Sequence, residues 1–214
     1  MAYEHHRETD PSGLMLIVEA DDHPLNPREE YEHLGRMVCW HRRYSLGDKH
    51  EWREPDDFRQ HLKSCAGAIA LPVYLFDHSG LAVSTTPFHC PWDSGQIGMI
   101  WMSRKAALDA FGPGGKRLTP QLRLQAEEAL RAEVREYHQF LSGDVWNVRV
   151  ENEDGEILDS CGGYYGSDYA VEEGRAVLAT LAPEERQRKA DALAELIESE
   201  RPDLTPVWTG EGAR

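Results

Sequence analysis

Residues 119–160, TPQLRLQAEEALRAEVREYHQFLSGDVWNVRVENEDGEILDS, decide how the chain folds. Thr119 is placed to cap a helix, because its side-chain oxygen can accept from an otherwise unpaired first-turn N–H. Pro120 then occupies the first helical position, where a missing N–H costs nothing. Leu122, Ala126, Ala129, Leu130, Val134, Tyr137 and Leu141 recur at helical spacing and make one apolar stripe. Gly143 stands where a left-handed residue closes a helix. Directly afterwards, 145–151 and 156–160 flank Asp154-Gly155, a strong two-residue hairpin signal. A one-sided helix running into a hairpin predicts a helix laid across an antiparallel sheet.

The reading extends outward in both directions. Residues 14–19 (LMLIVE) form a short apolar run, readable as a buried strand. Residues 37–44 are rich in strand-favouring side chains. Residues 69–76 and 81–86 flank the turn cluster Asp77-His78-Ser79-Gly80, and 96–103 give one more strand. Short helices are expected after Glu54-Pro55 and over 104–111, the latter stopped by Gly112-Pro113-Gly114-Gly115. Two closing helices, 168–181 and 183–199, are expected to part at Pro183. The class is therefore α+β: a single domain over 13–201, with a mainly antiparallel sheet covered by a long helix and two acidic C-terminal helices. Residues 1–12 read as a polar tail and 202–214 as a flexible one.

The chain has 214 residues and 23 Lys+Arg against 38 Asp+Glu, a formal charge of −15. That balance argues against a protein whose main task is gripping nucleic-acid phosphates. Most of the excess falls between 151 and 203. Glu172, Glu173, Glu184 and Glu185 are thus expected to form an acidic interaction surface, steering toward a basic or nucleic-acid-binding protein. No membrane partner is expected, since the longest apolar run, 66–76, is about half a span. The start lacks a basic and apolar leader, and cysteines 39, 65, 90 and 161 are scattered, so a reducing cytoplasm is expected.

Three stretches are dense in reactive side chains: 39–44 (CWHRRY), 77–80 (DHSG) and 89–95 (HCPWDSG). If 39–44 were strand, Cys39, His41 and Arg43 would share one side. A nucleophilic reading makes Cys90 the attacking thiolate, with His41, His78 or His89 as base and Asp77 or Asp93 orienting it. Such a cysteine needs a base because a free thiol, with a pKa of about 8.5, is mostly protonated at neutral pH. A phosphate-binding reading uses His41, Arg42 and Arg43 with the hydroxyls of Thr85, Thr86 and Ser94, since a guanidinium fork matches phosphate oxygens. No cofactor is expected. A mixed zinc set of Cys39, His41, His89 and Cys90 is chemically reasonable, but its spacing departs from the paired ligands of structural zinc sites.

The strings LGRMVCWHRRYSLGDKH (34–50), PVYLFDHSG (72–80), TTPFHCPWDSGQ (85–96), LSGDV (141–145) and DSCGGYYG (159–166) resemble a family of hypothetical proteins found in bacteriophages and mobile elements. The resemblance spans roughly 14–166 and implies context, not a catalytic role for any residue. It implies a phage-borne accessory protein in the host bacterial cytoplasm that binds a host macromolecule, with blunting of an antiviral defence as one such task. The alternative is an enzyme or small-ligand binder acting on a nucleotide or phosphate ester through the Cys/His/Asp/Arg segments.

Overall fold

The computed structural model describes residues 3–201. The expected flexible tail at 202–214 lies outside the described residues. The chain forms one α+β domain, but its strands divide between two antiparallel four-stranded sheets instead of one. The first sheet has the order β1 (Glu4–Thr9), β2 (Met15–Ala20), β7 (Val145–Glu151), β8 (Ile157–Tyr165). The second has the order β3 (Arg36–Cys39), β6 (Ser94–Met102), β4 (Ile69–Asp77), β5 (Leu81–Ser84). Between them run α1 (Pro27–Glu30), α2 (Pro55–Ser64), α3 (Arg104–Phe111), α4 (Pro120–Ser142) and α5 (Ser167–Ser199).

Each sheet buries one face under its own helix. The stripe of α4 puts Ala126, Leu130, Val134 and Tyr137 against Ile69, Val73, Ile100 and Met102 of the second sheet. The first half of α5 puts Ala170, Leu178 and Ala182 against Leu16, Val18, Val148 and Val150 of the first sheet. Gly174 allows that close approach, because a Cβ there would stand 2.6 Å from Leu16. Two helices with two separate apolar stripes explain why one sheet does not suffice: each stripe needs its own apolar face.

The decisive stretch folds as its residues dictate. Thr119 Oγ1 accepts from the Leu122 N–H at 3.3 Å, and Gly143 closes α4 in the left-handed region at φ 76°. Gly155 (φ 79°) turns β7 into β8, its N–H bonding to the Asn152 carbonyl at 3.0 Å.

Three expectations are corrected. Glu4–Thr9 is not tail but an edge strand paired with β2. An edge strand needs a partner on one side only, so a polar sequence serves there and discourages further pairing. The two closing helices are one, Ser167–Ser199, with Pro183 inside it. Burial of Ala182 and Glu185 on either side holds the helix across the proline, whose lost hydrogen bond faces the exposed side. Finally, β3 stops at Cys39, so 40–46 is loop and the expected alternation of Cys39, His41 and Arg43 does not exist. Among the described residues no helix is long and apolar enough to cross a membrane.

Candidate functional site

The loop from the end of β3 to the start of α2 forms the wall of a groove of about 850 Å³. Its shape is fixed by aromatic packing. The Trp40 indole N–H donates to the Trp52 carbonyl at 3.2 Å, and His50 Nε2 bonds the Cys39 carbonyl at 2.9 Å. Trp52 packs on Phe58 at 4.8 Å between ring centres, and the Arg36 guanidinium lies 4.9 Å over Trp52. At the far end Gly47 (φ 71°) folds onto β3, where a Cβ would meet the Met37 carbonyl at 2.7 Å.

Basic side chains dominate this groove. His41, Arg42, Arg43, Lys49, His50 and Arg53 line it, against Asp48 and Glu54. Asp48 is already engaged, its two oxygens accepting from Arg28 at 2.7 and 2.6 Å. Arg43 pairs with Asp77 and lies 5.2 Å over the Tyr44 ring. Among the described residues Arg42, Lys49 and Arg53 make no ion pair. The Nδ1 atoms of His41 and His50 are buried there without a hydrogen-bond partner. His41 stacks on Tyr44 at 5.0 Å with an interplanar angle of 5°. Three unpaired cations on one groove are unexpected in a chain with so many carboxylates to pair with.

A second lobe of about 280 Å³ shares His41 and Arg43 with the groove and adds Asp77, Trp92, Asp93 and Ser94. Here the three reactive segments do come together. The Asp77 N–H donates to the Asp93 carbonyl at 2.9 Å, joining the 77–80 turn to the 89–95 loop. Trp92 stands 91% exposed at the mouth.

Their order is wrong for nucleophilic catalysis. Cys90 Sγ lies 3.7 Å from Asp93 Oδ2, and His78 Nδ1 approaches that same oxygen at 3.3 Å. The carboxylate therefore stands between thiol and imidazole, whereas activation requires the imidazole in the middle. Ser94 donates to the Cys90 carbonyl and closes the loop. Cys90, Asp93 and His78 thus make contacts that fix the loop, while Asp77 pairs with Arg43 and His41 stacks on Tyr44.

The phosphate-binding assignment divides. Arg42, Arg43 and Ser94 face the joined lobes. Thr85 instead lines a separate cleft of about 360 Å³ with Arg131, Arg135 and His138. Thr86 turns back to Ser84 at 3.0 Å. The zinc set is not assembled: among the described residues no three His, Cys, Asp or Glu side chains are placed to hold one metal ion. Cys39 is enclosed, and burial pushes its thiol up to about 12.

The acidic surface is also only partly as expected. Glu172 and Glu184 are exposed and Glu173 is half-buried, but Glu185 is buried and paired with Arg188 at 2.8 Å. Residues Lys49, His50 and Arg53 were not singled out from the sequence. The available signal was the run from Arg36 to Arg53, whose acids are only Asp48 and Glu51.

A buried charge cluster supports the groove from behind. Arg28 reaches Asp48 and Glu133, while Glu133 accepts from the N–H groups of Leu34 and Gly35 at 2.9 and 3.0 Å. Burial lowers the pKa of Arg28, but the two carboxylates outweigh it and leave that pKa raised. Comparison with family models, curated proteins and solved structures gives no match.

Proposed function

We propose that the protein binds a nucleotide or related phosphate ester in the basic groove, and that recognition, not thiol chemistry, is what the site performs. The observation that carries this reading is the convergence of Arg42, Lys49 and Arg53, none ion-paired among the described residues, on one groove of an acidic chain. Guanidinium and ammonium groups supply charge-assisted hydrogen bonds to phosphate oxygens. The rings of His41 and His50 line the same groove beside these cations. The adjoining lobe, with Trp92 at its mouth, offers an aromatic surface for a base or other ring. Both lobes fall within or near the roughly 300–1,000 Å³ usual for small-ligand sites.

Titration of the full chain with ATP, inorganic pyrophosphate and ribose, followed by tryptophan fluorescence, tests this. Saturable quenching by ATP and pyrophosphate but not by ribose supports it. Absence of any response to both phosphates contradicts it.

A second reading keeps the phage context. Glu172 and Glu184 stand exposed and without an ion pair among the described residues, which suits capture of a basic host protein. Charge reversal at both should then abolish a stoichiometric complex recovered from infected cells. Recovery undiminished by the reversal removes the acidic surface from consideration.

A further inference from the structure

Helix α5 outruns the sheet it covers. Its last anchors are Glu185, which is buried, and Lys189, which donates to the Ser12 carbonyl at 2.6 Å and pairs with Glu153 at 2.8 Å. From Ala190 to Glu200 every residue is exposed. That overhang includes Leu193, Leu196 and Ile197 at 57%, 54% and 63% exposure. Three large apolar side chains stand in water there, so the overhang gains from being covered.

Its pattern says what covers it. Arg186, Ala190, Leu193, Ile197 and Glu200 follow one another at spacings of four, three, four and three, the seam of a coiled coil. The seam is apolar in the middle and ends in opposite charges. Among the described residues neither Arg186 nor Glu200 makes an ion pair. A parallel partner would set like charge against like. An antiparallel one brings Arg186 of each helix to the Glu200 end of the other, twice by symmetry.

We propose that the α5 overhang pairs antiparallel with the overhang of a second copy of this chain, through Leu193 and Ile197, with Arg186 and Glu200 fixing the direction. Two overhangs bury less than the roughly 1,200 Å² of a standard interface, so the dimer is a weak one in equilibrium with monomer. This pairing leaves the basic groove untouched and does not depend on what the groove binds.

Sedimentation equilibrium of the full chain over a series of concentrations tests it. The apparent mass should rise from one chain toward two. Leu193→Asp should hold it at one chain, with unchanged far-UV circular dichroism of the rest of the protein. Arg186→Glu should weaken association about fivefold or more, and Arg186→Glu with Glu200→Arg should restore it. A chain that stays monomeric throughout, or a dimer indifferent to Leu193→Asp or not restored by the charge swap, overturns the proposal. So does a monomer that dimerises only when residues 202–214 are removed, which would make that segment of the same chain the cover.

Discussion

Arg28 and Glu133, 105 residues apart in sequence, meet at 2.9 Å in the interior. The Arg28 guanidinium is 1% exposed, and it binds α4 to the loop that precedes β3 while also holding Asp48. The groove is therefore built on a clamp that ties its wall to α4. Every strong donor and acceptor in the clamp is matched, so removing one member strands the others.

Glu133→Ala should accordingly destabilise the fold by about 3–5 kcal/mol, since it strips Arg28 Nη1 and the Leu34 and Gly35 N–H groups of their acceptor. Urea unfolding followed by circular dichroism reads this as a lowered midpoint. The double variant Arg28→Leu with Glu133→Leu should cost less than the sum of its single changes. Strict additivity would show that the two side chains are not coupled.

Glu8 joins the edge strand β1 to α5 through Arg175 at 2.7 Å. The Arg175 hydrogen bond lowers its carboxyl to about 2 from an ordinary 4.5. A carboxyl depressed in the folded state stabilises it above pH 4.5, and that contribution fades as pH falls from 4.5 toward 2. Glu8→Gln should thus flatten the acid limb of the stability profile across that window and leave its neutral part parallel to wild type. An unchanged acid limb would show that the pair is too well solvated to matter.

The four thiols should react in an order set by enclosure. Cys161 is exposed on β8, whereas Cys39 lies under Gly47 and Gly98 with its pKa raised to about 12 by burial. Iodoacetamide at neutral pH, followed by mass spectrometry, should label Cys161 first and Cys39 only on unfolding. Cys90→Ser should leave ATP binding within about twofold of wild type, because the thiol faces a carboxylate and is not required by the groove.

Gly98 permits β3 to pair with β6, because a Cβ there would stand 2.1 Å from the Val38 carbonyl. Gly98→Ala should cost about 1–3 kcal/mol by forcing the backbone apart, lowering the thermal midpoint. A midpoint equal to wild type would mean the strands separate without loss.

Where local chemistry governs, the sequence was readable. The cap at Thr119, the left-handed Gly143, and the turns at Ser79-Gly80 and Asp154-Gly155 each depend on residues within four positions of one another. Readings failed where distant packing decides. Nothing local to 4–9 announces an edge strand, and Pro183 looks like a break until Ala182 and Glu185 are seen buried beside it. The site divides the same way. The sequence singled out the segments 39–44, 77–80 and 89–95, and they do adjoin. The order of thiol, carboxylate and imidazole is a matter of tertiary placement, and so is the departure of Thr85 to another cleft. Glu133 carried no signal, because its partners Arg28 and Gly35 lie about a hundred residues away.

In the proposed function, Arg42, Lys49 and Arg53 make the groove a phosphate site. Isothermal titration of ATP into wild type and into the Arg42→Glu, Lys49→Glu, Arg53→Glu variant measures it directly. Wild type should bind with an affinity that falls as salt rises, and the variant should lose at least about a hundredfold, or roughly 2.7 kcal/mol. Equal affinity in the two proteins, with the variant folded, would contradict it.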